Sequence, residues 1–235
     1  MTIDTTRRAA RQATRAITPA VPDIGRPAST LPRFDVARCW DADSTPACLA
    51  CASRALGNVV LGARTPEIEA AIVMASLMHD VAYYYGGNST DRDMTDDLFG
   101  RQIRAFVARL KPTDPDAERA AARTAAADVA AVQLGGGFPF TKPYSWSYGF
   151  DGPNRGYASH LPDEAAKIRA IARSSFSDVV HQLAAGTFEL SDVLKDKLAA
   201  AKPEYQERFK EAIVRLAKGL RADLQSDNAS SIPGF

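Results

Sequence analysis

The sequence predicts an all-α protein, a helical bundle around an antiparallel helix pair, with one long loop rich in glycine and aromatic residues. Three observations predict it. Apolar residues recur at spacings of three and four, most clearly Tyr205, Phe209, Ile213, Leu216, Leu220 and Leu224. Helix-start signatures punctuate the chain, among them Thr65-Pro66-Glu67 and Thr113-Asp114-Pro115-Asp116. No segment alternates with the period of a strand.

Taken in order, residues 1 to 33 are basic and interrupted by Pro19, Pro22, Pro27 and Pro32, which predicts a tail or an arm laid over the fold. Residues 34 to 226 then form a single helical domain, and 227 to 235 a polar C-terminal tail. Within the domain a helix is expected from Thr45, with Pro46 at its first position, to about Leu61. The next runs from the Thr65 cap through Ile72, Met74, Leu77 and Val81 to Tyr83, and Gly86-Gly87-Asn88 ends it. Asp91 opens another that continues through Phe99, Ile103 and Phe106 to Leu110. An alanine-rich helix to about Gln133 follows, and so many alanines predict close helix packing. Residues 134 to 161 carry glycines, prolines and eight aromatic rings counting His160, which predicts an ordered loop rather than disorder. Three further helices are expected at about 162 to 185, 190 to 201 and 203 to 225.

A length of 235 residues, 46% hydrophobic and 24% charged, is ordinary for one soluble domain. A net charge of +1 argues against an electrostatically driven nucleic-acid binder. No apolar run is long enough to span a bilayer. Arg7, Arg8, Arg11 and Arg15 stand in the first twenty residues without an apolar core, so no secretory signal is visible. The expected location is the cytoplasm, or outside it by export without a visible signal. Cys39, Cys48 and Cys51 lack a nearby fourth ligand for zinc. Reduced thiols in a helix are expected, with a disulfide from Cys39 to Cys48 or Cys51 as the alternative.

The stretch that carries chemistry is Leu77-Met78-His79-Asp80-Val81-Ala82-Tyr83, followed by Asp96. A His-Asp pair inside an apolar helix is costly unless both side chains find partners. The short Gly-Gly-Asn-Ser-Thr connection makes the two helices antiparallel neighbours. His79 and Asp96 then lie at matching distances from the turn and face each other. Asp97 points about 100° away on the helix. Asp80 and Tyr83, three residues apart, share a face.

His79, Asp80, Tyr83, Gly86, Gly87, Arg92 and Asp96 together form the pattern HDxxYxxGGxxxxRxxxD. It resembles the active-site helix pair of the phospholipase A2-like superfamily, most closely its short bacterial members, over about residues 55 to 110. A weaker similarity extends to Leu134-Gly135-Gly136-Gly137 and to the aromatic run from Pro143 to Gly149. The resemblance implies calcium-dependent hydrolysis of phospholipid acyl esters at a membrane surface. His79 would be the general base on a water, Asp96 its orienting carboxylate, and Tyr83 a hydrogen-bond partner of that carboxylate. Asp80 would bind Ca²⁺, with backbone carbonyls near Gly57 and Gly62 as further ligands. The cysteines that flank the family's histidine are replaced by Met78, Leu77 and Ala82, so a larger helical core has to hold the pair together.

Phe138, Phe140, Trp146 and Tyr148 are expected to bind substrate as an apolar rim beside the cleft, the alternative being that they pack over the bundle. His160 and His181 read as structural or surface residues. The competing function is a non-catalytic structural or interaction protein that keeps the helix pair as a scaffold. A phosphohydrolase of the HD type needs a histidine upstream of His79, and none precedes it. A serine nucleophile elbow, a P-loop and a dinucleotide fingerprint are absent.

Overall fold

The computed structural model describes residues 31–34, 65–111, 116–135, 146–150, 156–188, 192–226 and 228–235. The chain divides into two compact units, Met1–Thr30 and Leu31–Phe235. Every regular element among the described residues is helical. These are α1 (Pro66–Tyr85), α2 (Ser89–Leu110), α3 (Ala117–Gly135), α4 (Pro162–Ala185), α5 (Asp192–Ala199) and α6 (Pro203–Gln225), followed by a 3₁₀ turn at Ala229–Ser231. None is long and apolar enough to cross a membrane. The helix expected from Thr45 to Leu61 and the three cysteines lie outside the described residues.

α1 is the axis of the bundle. Thr65 caps it by accepting from the Ile68 amide, and Pro66 fills its first position. It is buried on nearly every side because α2, α4 and α6 all pack against it. That explains its apolar run without a polar face. α2 begins at Ser89, two residues before the Asp91 expected from sequence. Asn88 is its cap, accepting from the Asp91 amide, and the Asp91 carboxylate accepts from the Asn88 amide in a closed capping box. α6 lays Phe209, Ile213, Leu216 and Leu220 into the core on the stripe the sequence shows. α3 packs on α2 through small residues: Ala117, Ala121 and Ala125 are buried. A Cβ at Gly100 of α2 would lie 2.7 Å from Val129 Cγ2. The helices approach too closely for any larger side chain there.

The chain after α3 returns to close the end of α1. The Ser147 amide donates to Tyr83 O at 2.7 Å and the Gly149 amide to Tyr84 O at 2.9 Å, satisfying carbonyls that a helix end leaves orphaned. Trp146 Nε1 donates to Gly87 O at 2.8 Å, and His160 Nε2 to Gly86 O at 2.6 Å. Gly86 has φ +69, and a Cβ on it would lie 2.4 Å from Ser147 Cβ. The turn between α1 and α2 is therefore clamped from outside. His160 has the structural role expected of it. His181 donates from Nδ1 to Ser177 O one turn back along α4.

Two boundaries differ from the sequence reading. Residues 31 to 33, expected in the arm, belong with the second unit. Tyr84 and Tyr85 hydroxyls donate to the Arg33 and Pro32 carbonyls at 2.9 and 2.8 Å. The segment after Ser226, expected as a polar tail, docks on the bundle. Ile232 is fully buried, and the Phe235 ring lies 5.3 Å from Phe176. The Pro233 carbonyl accepts from Gln102 Nε2 at 2.8 Å. The two large apolar side chains outweigh the polar residues around them. Ile232→Ala is expected to cost about 2–5 kcal/mol of stability, as for other buried aliphatic truncations. Chemical denaturation measures it, and a solvated tail would show no change.

Candidate functional site

His79 and Tyr83 lie one turn apart on α1 and their rings stack at 4.2 Å. Both converge on Asp96 of α2. His79 Nε2 lies 3.2 Å from Asp96 Oδ1, and the Tyr83 hydroxyl donates to the same oxygen at 2.8 Å. Asp96 is completely buried, whereas Asp97 is exposed, as the 100° offset requires. Phe99 packs against the imidazole, with ring centres 4.7 Å apart. Trp146 meets Tyr83 edge-on at 4.9 Å.

Arg92, which the sequence pattern includes without a role, supports this group. It is buried one turn before Asp96 on α2. Its Nε donates to the Tyr83 hydroxyl at 3.3 Å and lies 3.9 Å from Asp96 Oδ2. Nη1 donates to Tyr157 at 2.8 Å, and Nη2 to the carbonyls of Val132 and Gln133 in the last turn of α3. A cation at a helix C-terminus meets both the orphan carbonyls and the negative end of the dipole. Burial opposes the Arg92 charge, but the Tyr83, Tyr157 and Asp96 oxygens outweigh it and the guanidinium stays charged. Burial, with the Asp96 charge beside it, raises the Tyr83 pKa well above that of a free phenol. The tyrosine therefore stays protonated and donates.

The imidazole has two distinct ends. With Asp96 accepting at Nε2, the neutral ring carries its proton there and leaves a lone pair on Nδ1. Nδ1 is buried, has no hydrogen-bond partner among the described residues, and lies 3.6 Å from Asp80 Oδ1. That is an ion-pair distance and not a hydrogen bond. Burial disfavours the imidazolium, but Asp80 and Asp96 on either side outweigh it, and the His79 pKa is raised. Tyr83 thus shares Asp96 with His79.

A cavity of about 230 Å³ opens beside the histidine. His79 lines it together with Met78, Val81, Leu98, Phe99, Ile168 and Ala172. Gln102, whose Oε1 is buried without a partner among the described residues, is also in its wall. Arg169 and Arg173 of α4 complete it. Neither Trp146 nor Tyr148 does, which corrects the expectation that they form a rim. Trp146 is fully buried because its indole N–H is used at Gly87, and Tyr148 packs edge-on to Tyr84 at 5.3 Å. They take the packing role that was the alternative. Phe138 and Phe140 lie outside the described residues. Sequence reasoning missed the α4 side of the cavity. The signal for it is the alternation Ile168-Arg169 and Ala172-Arg173, one turn apart.

Asp80, whose side chain is 10% exposed, presents a single carboxylate. Among the described residues no group of three or more His, Cys, Asp and Glu side chains is placed to hold a metal ion. Calcium takes about six to eight oxygens. The described residues therefore do not make up a calcium site, and Gly57 and Gly62 lie outside them. No family model, no curated protein and no solved structure matches this chain.

The His79 imidazole is expected to titrate above the ordinary value of 6.5. Its contribution to stability is then complete below about pH 6.5 and fades as the pH rises through the folded value. Ring-proton NMR across the pH range measures the shift. Asp80→Asn, which removes one of the two carboxylates, lowers it. Tyr83→Phe takes a donor from a buried carboxylate and is expected to destabilise by about 1–3 kcal/mol in thermal unfolding.

Proposed function

We propose that this protein hydrolyses acyl esters of phospholipids through a water activated by His79, as the resemblance to phospholipase A2-like proteins implies. The observation that carries the reading is the His79 ring. One nitrogen is oriented by a buried carboxylate, and the other, once deprotonated, has no hydrogen-bond partner among the described residues. In the attack step Nδ1 takes a proton from water as the water oxygen bonds to the ester carbonyl carbon. Asp96 and Asp80 on either side stabilise the imidazolium that results. Collapse of the tetrahedral intermediate breaks the bond to the alcohol oxygen, which takes the proton back from Nδ1. The products are a carboxylate and a lysolipid. Tyr83 and Arg92 hold Asp96 in place and are positioning residues. The apolar cavity supports the same reading, since it gives an acyl chain a place beside the base. Calcium enters the proposal only at Asp80, as one ligand among several.

The depth of the network favours a second reading: a non-catalytic scaffold in which His79, Tyr83, Asp96 and Arg92 are a connected polar core. The two readings part on turnover. Fluorogenic diacyl phospholipids are offered to the wild type and to His79→Gln, each with excess Ca²⁺ or EGTA. The hydrolase reading expects activity that falls by about 10²–10⁴-fold in the variant. It also expects rates that rise with pH as the imidazole loses its proton. Loss of activity in EGTA shows that Ca²⁺ takes part in turnover, and its persistence in EGTA removes the ion from the proposal. Folded wild type without turnover on any lipid overturns the hydrolase reading in favour of the scaffold.

A further inference from the structure

We infer that the cavity beside His79 binds a single-chain anionic amphiphile, with its carboxylate or phosphate on Arg169 and Arg173 and its chain along the apolar wall. This deepens the hydrolase reading and rests on it for the link to the acyl substrate or product; the binding itself does not depend on turnover. Three observations carry it. First, the wall is apolar, and among the described residues the only fully charged side chains in the lining are these two arginines; no described aspartate or glutamate belongs to it. Second, the arginines lie one turn apart on α4, so they project to the same side, and both are exposed where the cavity meets solvent. No acidic residue stands three or four positions from either on the helix: those places hold Ala165, Ala166, Ala170, Ala172, Phe176 and Ser177. On their own helix, therefore, no acidic side chain neutralises them. Third, the Arg173 guanidinium lies 5.8 Å over the Phe235 ring, which holds it at the rim rather than free in water.

Paired guanidinium groups match the geometry of carboxylates and phosphates, and an ammonium head would be repelled. The volume, about 230 Å³, falls below the ~300–1,000 Å³ of pockets that take drug-sized ligands, so one chain fits and two do not. A chain that enters past Ile168 and Ala172 runs between α4 and α1 toward the His79 ring.

The test is isothermal titration of the full chain with ten-carbon probes below their micellar concentrations: decanoate, decyl phosphate, decyltrimethylammonium and decanol, with inorganic phosphate as the chainless control. The anions are expected to bind about tenfold or more tightly than the cation or the alcohol. Tighter decyl phosphate identifies a lipid headgroup as the natural anion, and tighter decanoate a free fatty acid; either supports the inference. Arg169→Gln and Arg173→Gln, both at exposed positions, each weaken the anions about tenfold and leave decanol unchanged. Ala172→Phe, which fills the slot, removes binding of every chain while circular dichroism reports the helices intact. Equal binding of cation and anion overturns the inference. So does an affinity unmoved by the double arginine substitution, or inorganic phosphate binding as tightly as decyl phosphate. A wild type that binds decanoate without hydrolysing any lipid refutes the hydrolase alone and leaves the binding inference standing.

Discussion

Asp96 has no contact with solvent, and an anion so placed persists only if donors surround it. Those donors come from the neighbouring helix, one turn apart, as the His79 ring and the Tyr83 hydroxyl. The requirement fixes how α1 and α2 lie against each other. Sliding one past the other by a turn, about 5.4 Å, would leave the carboxylate facing apolar side chains. Apolar contacts alone tolerate many registers; a buried charge with two designated donors tolerates one. The bundle thus obtains its specificity at the place where its chemistry is concentrated, and Phe99, Trp146 and the α6 stripe fill the space that this register leaves.

A second layer of the same logic reaches beyond the pair. Arg92 faces Tyr83 and Asp96 at one end and the last carbonyls of α3 at the other, so one guanidinium links three helices. Trp146, Ser147, Gly149 and His160 do for the end of α1 what Arg92 does for the end of α3. Two helix C-termini with unmet carbonyls are brought together and satisfied by residues distant in sequence. The polar atoms of the interior consequently form a connected system around the histidine, and its geometry is held from several sides.

Much of this was legible in the sequence, for identifiable reasons. The helices reveal themselves by threefold and fourfold spacing and by Thr-Pro caps. The meeting of His79 with Asp96 follows from a short turn between two helices and needs no tertiary information. The role of Trp146 did not follow, because an aromatic residue in a glycine-rich loop reads equally as a rim or as packing. Only its bond to the Gly87 carbonyl decides between them. The docking of Ile232 and Phe235 was hidden by their polar neighbours, since average composition obscures two anchoring side chains. The arginines of α4 belong to no local motif, and their meaning depends on α1 and α2 lying opposite. The catalytic roles of His79, Asp80 and Asp96 rest on the proposed chemistry, and the contacts among them do not by themselves distinguish a base from a core pair.

Trp146 and the Gly87 carbonyl it closes upon are 59 positions apart. The final turn of α1 therefore cannot reach its native hydrogen bonding while the chain is only locally ordered. Contacts of such separation carry a loop-closure cost that is met late in folding. The Gly86 end of the histidine's helix is therefore the end whose closure costs the more chain entropy. Fluctuations that release the returning segment would loosen the turn beneath Tyr83 before they disturbed the core, so the least protected backbone amides of this helix should lie nearest its polar side chains.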